Sequence, residues 1–139
     1  MKKMSPKLFL LFNHQLTREQ ILDAKKNLSI EEFIYIPNDL QKIWSNFDPA
    51  IESFKEELDI FVKFLNKNAK KDDFILVQGD FGAVYSIVDF CFKNGFVPIY
   101  ATTKRISKER NLGFKTEKIS LFEHIAYRKY EQLFNKAKM

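Results

Sequence analysis

The feature that most constrains the fold is a set of short, unbroken apolar runs, each of strand length. Lys7–Phe12 and Phe74–Val77 are the clearest of these runs, and Val97–Ala101 resembles them. Continuous apolar runs, as opposed to alternating ones, are typical of strands that are covered on both faces of a parallel sheet. A further strand is predicted over Glu32–Ile36, ended by Pro37, which has no N–H for a sheet ladder.

Helical segments separate these strands. Thr17 and Gln20 have the spacing of a capping box, which predicts a helix from there to about Leu28. A short helix is predicted through Trp44. Asp48-Pro49 predicts the start of a longer helix, with one apolar face formed by Ile51, Phe54, Leu58, Phe61, Val62 and Leu65. After the third strand, the turn at 78–82 leads into an apolar helix that ends near Gly95.

Strands that alternate with helices imply right-handed crossovers, so we expect an α/β fold with a Rossmann-like, mostly parallel sheet flanked by helices. The segments 104–109 and 115–125 are basic and β-capable, and the Asn111-Leu112-Gly113 turn joins them, which predicts a C-terminal β-hairpin. For 127–138 the sequence leaves open whether a short helix follows. We expect residues 1–139 to form a single domain.

Charge is unevenly distributed along the chain. Residues 1–101 carry 13 Lys and Arg against 14 Asp and Glu, whereas residues 102–139 carry 10 against 4. A basic C-terminal quarter favours a polyanionic partner, although a merely solvated surface is the alternative. The longest early apolar run, Leu8–Phe12, is too short to cross a bilayer, so we expect a cytoplasmic protein without a membrane partner.

In open α/β sheets, ligands bind beyond the carboxyl ends of the strands. Two loops there are candidate anion sites, with alternatives that stay open. In the Gln78-Gly79-Asp80-Phe81-Gly82 turn, two glycines let the backbone approach a ligand, and the free N–H groups of the following helix N-terminus attract phosphate. The alternative is a tight strand-to-helix turn in which Asp80 is the N-cap. The other candidate combines two hydroxyls with two cations, which suits the oxygens of a phosphodiester, and consists of Thr102, Thr103, Lys104 and Arg105. The alternative is that this segment begins a solvated hairpin that binds nothing.

Asn13, His14 and Gln15 follow the first strand, and His14 is a candidate for proton transfer or phosphate binding, unless it makes only ordinary loop hydrogen bonds. No cofactor is expected, because the turn at 78–82 lacks the Lys-Ser/Thr ending of a P-loop and the third glycine of a dinucleotide site. No metal site is expected either, since one Cys and two His stand far apart in the sequence.

Four segments together resemble the small type III CRISPR-associated proteins that consist of a stand-alone CARF-like (CRISPR-associated Rossmann fold) domain. These segments are 11–17, 40–44, 78–83 and 100–105. The resemblance implies a homodimer that binds a cyclic oligoadenylate messenger, in particular cyclic tetra-adenylate, across its two-fold axis and cleaves it as a metal-independent ring nuclease. Attack by an adenosine 2′-hydroxyl would leave 2′,3′-cyclic phosphate ends and switch off the antiviral response.

Within that family likeness, the roles follow from loop position and chemistry. His14, Lys104 and Arg105 are the candidate catalytic residues: His14 for proton transfer, and one of the two cations for the charge that develops on the phosphate. Candidate ligand contacts come from Asn13, Gln15, Gln78, Gly79, Asp80, Phe81, Gly82, Thr102 and Thr103. Two alternatives stay open, namely a sensor or sponge that binds the messenger without cleavage, and a general RNA-binding module. No stable DNA partner is expected.

Overall fold

The computed structural model describes residues 5–134. Four helices and five strands follow one another in the order β1 (Lys7–Leu11), α1 (Arg18–Asn27), β2 (Glu32–Tyr35), α2 (Asn38–Ser45), α3 (Lys55–Asn68), β3 (Phe74–Val77), α4 (Phe81–Lys93), β4 (Val97–Asn111) and β5 (Thr116–Lys129). All five strands belong to one sheet with the order β2-β1-β3-β4-β5. The α/β class predicted from the sequence is therefore confirmed.

The sheet is mixed, which corrects the expectation of a mostly parallel one. β1 pairs in parallel with β2 and β3, and β3 pairs in parallel with β4. The longest pairing, between β4 and β5, is antiparallel and runs from Ile99↔Lys129 to Asn111↔Thr116. The reason is that the predicted strand at 97–101 and the first hairpin strand form one continuous strand, so the hairpin is part of the sheet.

The apolar core lies on both faces of the sheet because β1 and β3 are covered on both sides. Phe9 and Leu11 face α2, α3 and α4, and pack in a cluster that includes Trp44 and Phe61. The alternate residues of β1 face α1 in a second cluster, which includes Leu10. Full burial of an aliphatic or aromatic side chain contributes about 1.5–3 kcal/mol, so these two clusters account for the position of the strands.

Local signals in the sequence differ in how well they locate helix ends. The capping box of α1 is confirmed, since the N–H of Gln20 donates to Thr17 Oγ1 at 3.2 Å and the N–H of Thr17 donates to Gln20 Oε1 at 2.9 Å. The predicted helix start at Asp48 is wrong. The Asp48 carboxylate accepts the N–H of Ala50 at 2.9 Å and so closes a separate turn, and α3 begins only at Lys55.

The predicted C-terminal hairpin is confirmed and is longer than expected. From Thr103 outwards β4 pairs only with β5, so the two strands leave the rest of the sheet as a two-stranded ribbon, which we define as residues 103–124. A bulge between Thr102 and Thr103 marks its base, and Gly113, with φ +87°, lies in the turn at its tip. Of the segment 127–138 left open as a helix, 127–129 belong to β5, 130–134 are not helical, and the rest lies outside the described residues.

Candidate functional site

The candidate site lies at the carboxyl ends of β1 and β3. The chain passes from β1 to β2 on one side and later returns to β3 on the other side of β1, so the strand order reverses between these two neighbours. A crevice opens at such a reversal because the two connecting segments diverge from it. The loop at 12–17 and the turn at 78–82 therefore lie next to each other at this edge of the sheet. We call the space between them the crevice.

Gln78 anchors this end of the sheet through three hydrogen bonds. Its N–H donates to the carbonyl of Leu11 at 3.0 Å, its carbonyl accepts the indole N–H of Trp44 at 2.9 Å, and its side-chain Oε1 accepts the N–H of Ala101 at 2.8 Å. The residue thus joins β1, β4 and α2. Because its side-chain oxygen is engaged within the protein, Gln78 shapes the crevice wall.

Gly79 is required by the close approach of Trp44. A Cβ built at position 79 would lie 2.9 Å from Trp44 Nε1 and 3.2 Å from Cε2. Trp44 is 1% exposed, so the indole has no free space into which to move. The glycine therefore allows the backbone of the turn to lie directly on the indole.

The N-terminus of α4 opens next to this turn. Asp80 caps the helix, since its carboxylate accepts the N–H of Ala83 at 3.0 Å, which confirms the sequence interpretation of Asp80 as an N-cap. The N–H groups of Phe81 and Gly82 belong to the first turn and have no partner within the helix. Phe81 is 95% exposed, whereas Gly82 lies against Phe54, with only 3.1 Å between Phe54 Cζ and a Cβ built there.

Side chains of α2 hold the loop after β1 through hydrogen bonds. Gln41 Nε2 donates to the carbonyl of Phe12 at 2.8 Å and to Ser45 Oγ at 3.0 Å, and the Ser45 hydroxyl donates to Asn13 Oδ1 at 3.2 Å. His14 is exposed, and its ring lies edge-on to Phe12 with 5.5 Å between centroids. Gln15 is exposed as well.

The predicted residues of β4 extend from the crevice onto the ribbon. Ala101 is level with Gln78, so Lys104 lies three residues, or about 10 Å, farther along the strand. Thr102 donates its hydroxyl proton to the carbonyl of Ala126 at 3.1 Å, and Arg105 Nη2 donates to Ser120 Oγ at 3.0 Å. Thr103 and Lys104 are exposed.

The structure therefore brings Asn13, His14 and Gln15 to the same edge as the turn at 78–82, and sets Lys104 and Arg105 farther out. The role of α2 was not predicted from the sequence, although Gln41, Trp44 and Ser45 of this helix fix both loops. The signal was available: Gln41 and Ser45 have the i, i+4 spacing that places two polar side chains on one face of a helix.

A largely buried hydrogen bond joins the base of the ribbon to α1. His124 Nε2 lies 2.7 Å from Asp23 Oδ2, and the two side chains are 7% and 15% exposed. Burial raises the pKa of the Asp23 carboxyl, but hydrogen bonds from Asn27 and His124 and the nearby positive charge outweigh it and lower the pKa below its usual value. His124 Nδ1 is buried and has no hydrogen-bond partner among residues 5–134. Asp23 and His124 therefore link the ribbon to α1.

Two further observations bear on chemistry. Burial raises the pKa of the Cys91 thiol to about 12, so the thiol stays protonated near neutral pH. Across residues 5–134, no three His, Cys, Asp or Glu side chains lie close enough together to hold a metal ion. In the same part of the chain, no helix is long and apolar enough to cross a membrane.

Comparison with known proteins identifies a family. Residues 6–128 match the model of the Uncharacterized protein MJ1673 family. The protein of that name from Methanocaldococcus jannaschii is 48% identical over 125 residues, which cover 90% of this chain and 97% of the relative. A comparison with solved structures finds no match. The chain belongs to the MJ1673 family.

Proposed function

We propose that this member of the MJ1673 family is a CARF-like ring nuclease, which binds a cyclic oligoadenylate, in particular cyclic tetra-adenylate, and cleaves it to linear products. The observation that supports this proposal most is the crevice between β1 and β3, bordered by a helix N-terminus and by a histidine loop, with a basic ribbon rising beside it. Such a surface suits a ligand with several phosphates spread over an extended ring.

Binding would use the turn at 78–82 for both the phosphate and the base. The N–H groups of Phe81 and Gly82 at the start of α4 can donate to a phosphate oxygen, aided by the positive end of the helix dipole. The exposed Phe81 ring offers a stacking surface, and stacking of a base on an aromatic side chain is worth about 1–3 kcal/mol. A ligand that carries both phosphates and bases is the partner that such a pair of features favours.

Cleavage would follow the in-line route. The 2′-oxygen of an adenosine forms a bond to the adjacent phosphorus, and the bond from phosphorus to the 5′-oxygen breaks. The 2′-hydroxyl loses its proton and the leaving 5′-oxygen gains one, so the product carries a 2′,3′-cyclic phosphate and a 5′-hydroxyl. In this scheme His14 transfers a proton, while Lys104 or Arg105 stabilises the charge on the phosphate oxygens.

The alternation of side chains along β4 separates the two cations. Lys104 and Arg105 point to opposite faces of the strand, so only one of them can face a given phosphate. Arg105 already donates to Ser120 on its own face, whereas Lys104 is exposed and is in none of the ion pairs found in the described part of the chain. Lys104 is therefore the preferred candidate for charge stabilisation.

The proposal is tested by incubating the purified chain with an excess of cyclic tetra-adenylate in EDTA and separating the products by chromatography. We expect more ligand to be converted than enzyme is present. Intact ligand over long times would exclude the nuclease; binding without conversion would then leave a sensor or sponge. Equal affinity for a random linear RNA, with a steep salt dependence, would favour a general RNA-binding module instead.

The role of Lys104 is tested by Lys104→Ala, with Lys108→Ala as the matched control on the same face of β4, about 13 Å farther out. We expect Lys104→Ala to slow single turnover at least tenfold more than it weakens binding, because its charge acts in the transition state. Equal losses in rate and affinity would make Lys104 a ground-state phosphate contact. The control should retain the wild-type rate.

A further inference from the structure

The outer part of the ribbon has one face whose side chains belong to neither apolar cluster of the described chain. Residues that lie directly opposite each other in an antiparallel pair point to the same side. The face on the side of α4 therefore carries four cross-strand pairs, which are Lys104/Glu123, Ile106/Leu121, Lys108/Ile119 and Arg110/Glu117. We call this set the ribbon face. Its centre holds three apolar side chains and Lys108, and each of its two ends combines a cation with a carboxylate.

A two-stranded ribbon of this kind is marginally stable by itself in water, because only one sheet neighbour supports each strand. Leu121 is 46% exposed, Ile106 and Ile119 are half-buried, and all three lie outside the two apolar clusters of the described chain. Apolar side chains placed in register along a protruding ribbon mark a contact with another surface.

We infer that the ribbon face packs against the ribbon face of a second copy of this chain, with the two-fold axis running along the ribbon. That axis lays β4 of one copy over β5 of the other. Lys104 then faces Glu123 of the second copy, and Arg110 faces Glu117 of the second copy. Ile106 faces Leu121 of the second copy, and Lys108 faces Ile119 of the second copy. Opposite charges therefore meet at both ends of the contact, and apolar side chains meet between them, with the stem of Lys108 lying on Ile119.

The alternative two-fold axis runs across the ribbon, perpendicular to its strands, and it would bring like charges together. It would lay β4 over β4, and Lys104 of one copy would face Arg110 of the other. Glu123 and Glu117 would meet likewise, and like charges placed opposite one another are destabilising. The charge pattern of the ribbon face thus selects the axis along the ribbon.

The ribbon face alone is too small to form a stable dimer interface. The ribbon face is about 24 Å long and about 10 Å wide, well below the roughly 800 Å² per partner of a stable interface. The remaining area is available on the same side of the sheet, where Phe81 and Tyr85 of α4 are 95% and 77% exposed. The contact therefore continues from the ribbon towards the N-terminus of α4.

This interface stands independently of the proposed nuclease activity, although it would place two copies of the candidate site about one axis. Lys104 can contact both Glu123 of the second copy and a phosphate of the proposed ligand, because an ammonium group has three N–H donors. A ligand is not needed to form the contact. Its test is therefore the oligomeric state of the free protein.

The test measures mass by light scattering after size-exclusion chromatography at low salt, with circular dichroism to check the fold. We expect the wild-type chain to be a dimer and Leu121→Arg to be a monomer. Phe122→Arg is the matched control, since Phe122 is 70% exposed and points to the opposite face one residue away; it should remain a dimer. A monomeric wild type, or a monomeric control beside a dimeric Leu121→Arg, would overturn the inference.

Charge reversal at the tip tests the direction of the axis. Arg110→Glu should weaken the dimer at least tenfold, and Arg110→Glu with Glu117→Arg should restore it, because the reversed pair faces its complement again. If Arg110→Glu instead strengthens the dimer, the ribbons cross the other way, and the inferred axis is wrong. Cleavage of a cyclic oligoadenylate, measured separately, decides the proposed function without deciding this interface.

Discussion

Gly79→Ala probes the contact on which the crevice is built. The new Cβ would lie 2.9 Å from Trp44 Nε1, closer than real Cβ contacts, and the 1% exposed indole cannot move away without disturbing the core. The substitution therefore overpacks the site and strains the 2.9 Å hydrogen bond from Trp44 to the Gln78 carbonyl. Overpacking and the loss of a buried hydrogen bond each cost about 1–3 kcal/mol, so we expect a loss of about 3 kcal/mol.

The assay is urea unfolding followed by circular dichroism and by the fluorescence of Trp44, the one tryptophan in the chain. Gly113→Ala is the control, because Gly113 has φ +87° but nothing within 4 Å of its Cβ position, which isolates the backbone cost. In the Trp44→Phe background, the cost of Gly79→Ala should fall, since the indole nitrogen is gone. If Gly79→Ala lowers the free energy of unfolding no more than Gly113→Ala does, the indole does not restrict position 79. An unchanged effect of Gly79→Ala in the Trp44→Phe background would mean the same.

Three further outcomes are expected. Because the folded-state pKa of Asp23 lies below the ordinary value of an aspartate, the carboxylate stabilises the fold at neutral pH and loses this contribution as the pH falls through the folded pKa. The urea midpoints of wild type and Asp23→Asn should therefore converge in strong acid, and a constant gap between them would contradict this. Native Cys91 should resist iodoacetamide at pH 8 and react after unfolding, whereas fast native labelling would contradict its burial. Phe9→Ala should cost about 3–5 kcal/mol in urea unfolding, because the 0% exposed ring would leave a cavity, and a loss under about 1 kcal/mol would contradict this packing.

Much of the fold could be predicted because its signals are local. The apolar runs Lys7–Phe12 and Phe74–Val77 identified buried strands, and Thr17 with Gln20 located the start of α1. The start of α3 was missed because an Asp-Pro pair suits a tight turn as well as a helix N-terminus, and side-chain capping of Ala50 by Asp48 decides between them. The length of β4 was missed because its two halves differ in composition: the inner half is apolar, the outer half basic.

The candidate site could be predicted only in part. The position of the two loops followed from the rule for strand ends, and the residues of both loops lie at the expected edge. The contribution of Trp44 could not be found from spacing, since its hydrogen bond to Gln78 joins residues 34 apart in the chain. The same limit applies to Asp23 and His124, which pair across 101 residues and become neighbours only when β5 packs on α1.

Cleavage by a 2′-hydroxyl of the ligand itself can be tested by mass spectrometry of the first product formed in ¹⁸O-labelled water. Attack by the 2′-hydroxyl opens the ring without adding water, so we expect a linear product that carries a 2′,3′-cyclic phosphate and no ¹⁸O at early times. A first product with ¹⁸O in its terminal phosphate would instead mean hydrolysis by water, and a ring that stays closed would mean that the protein is not a nuclease.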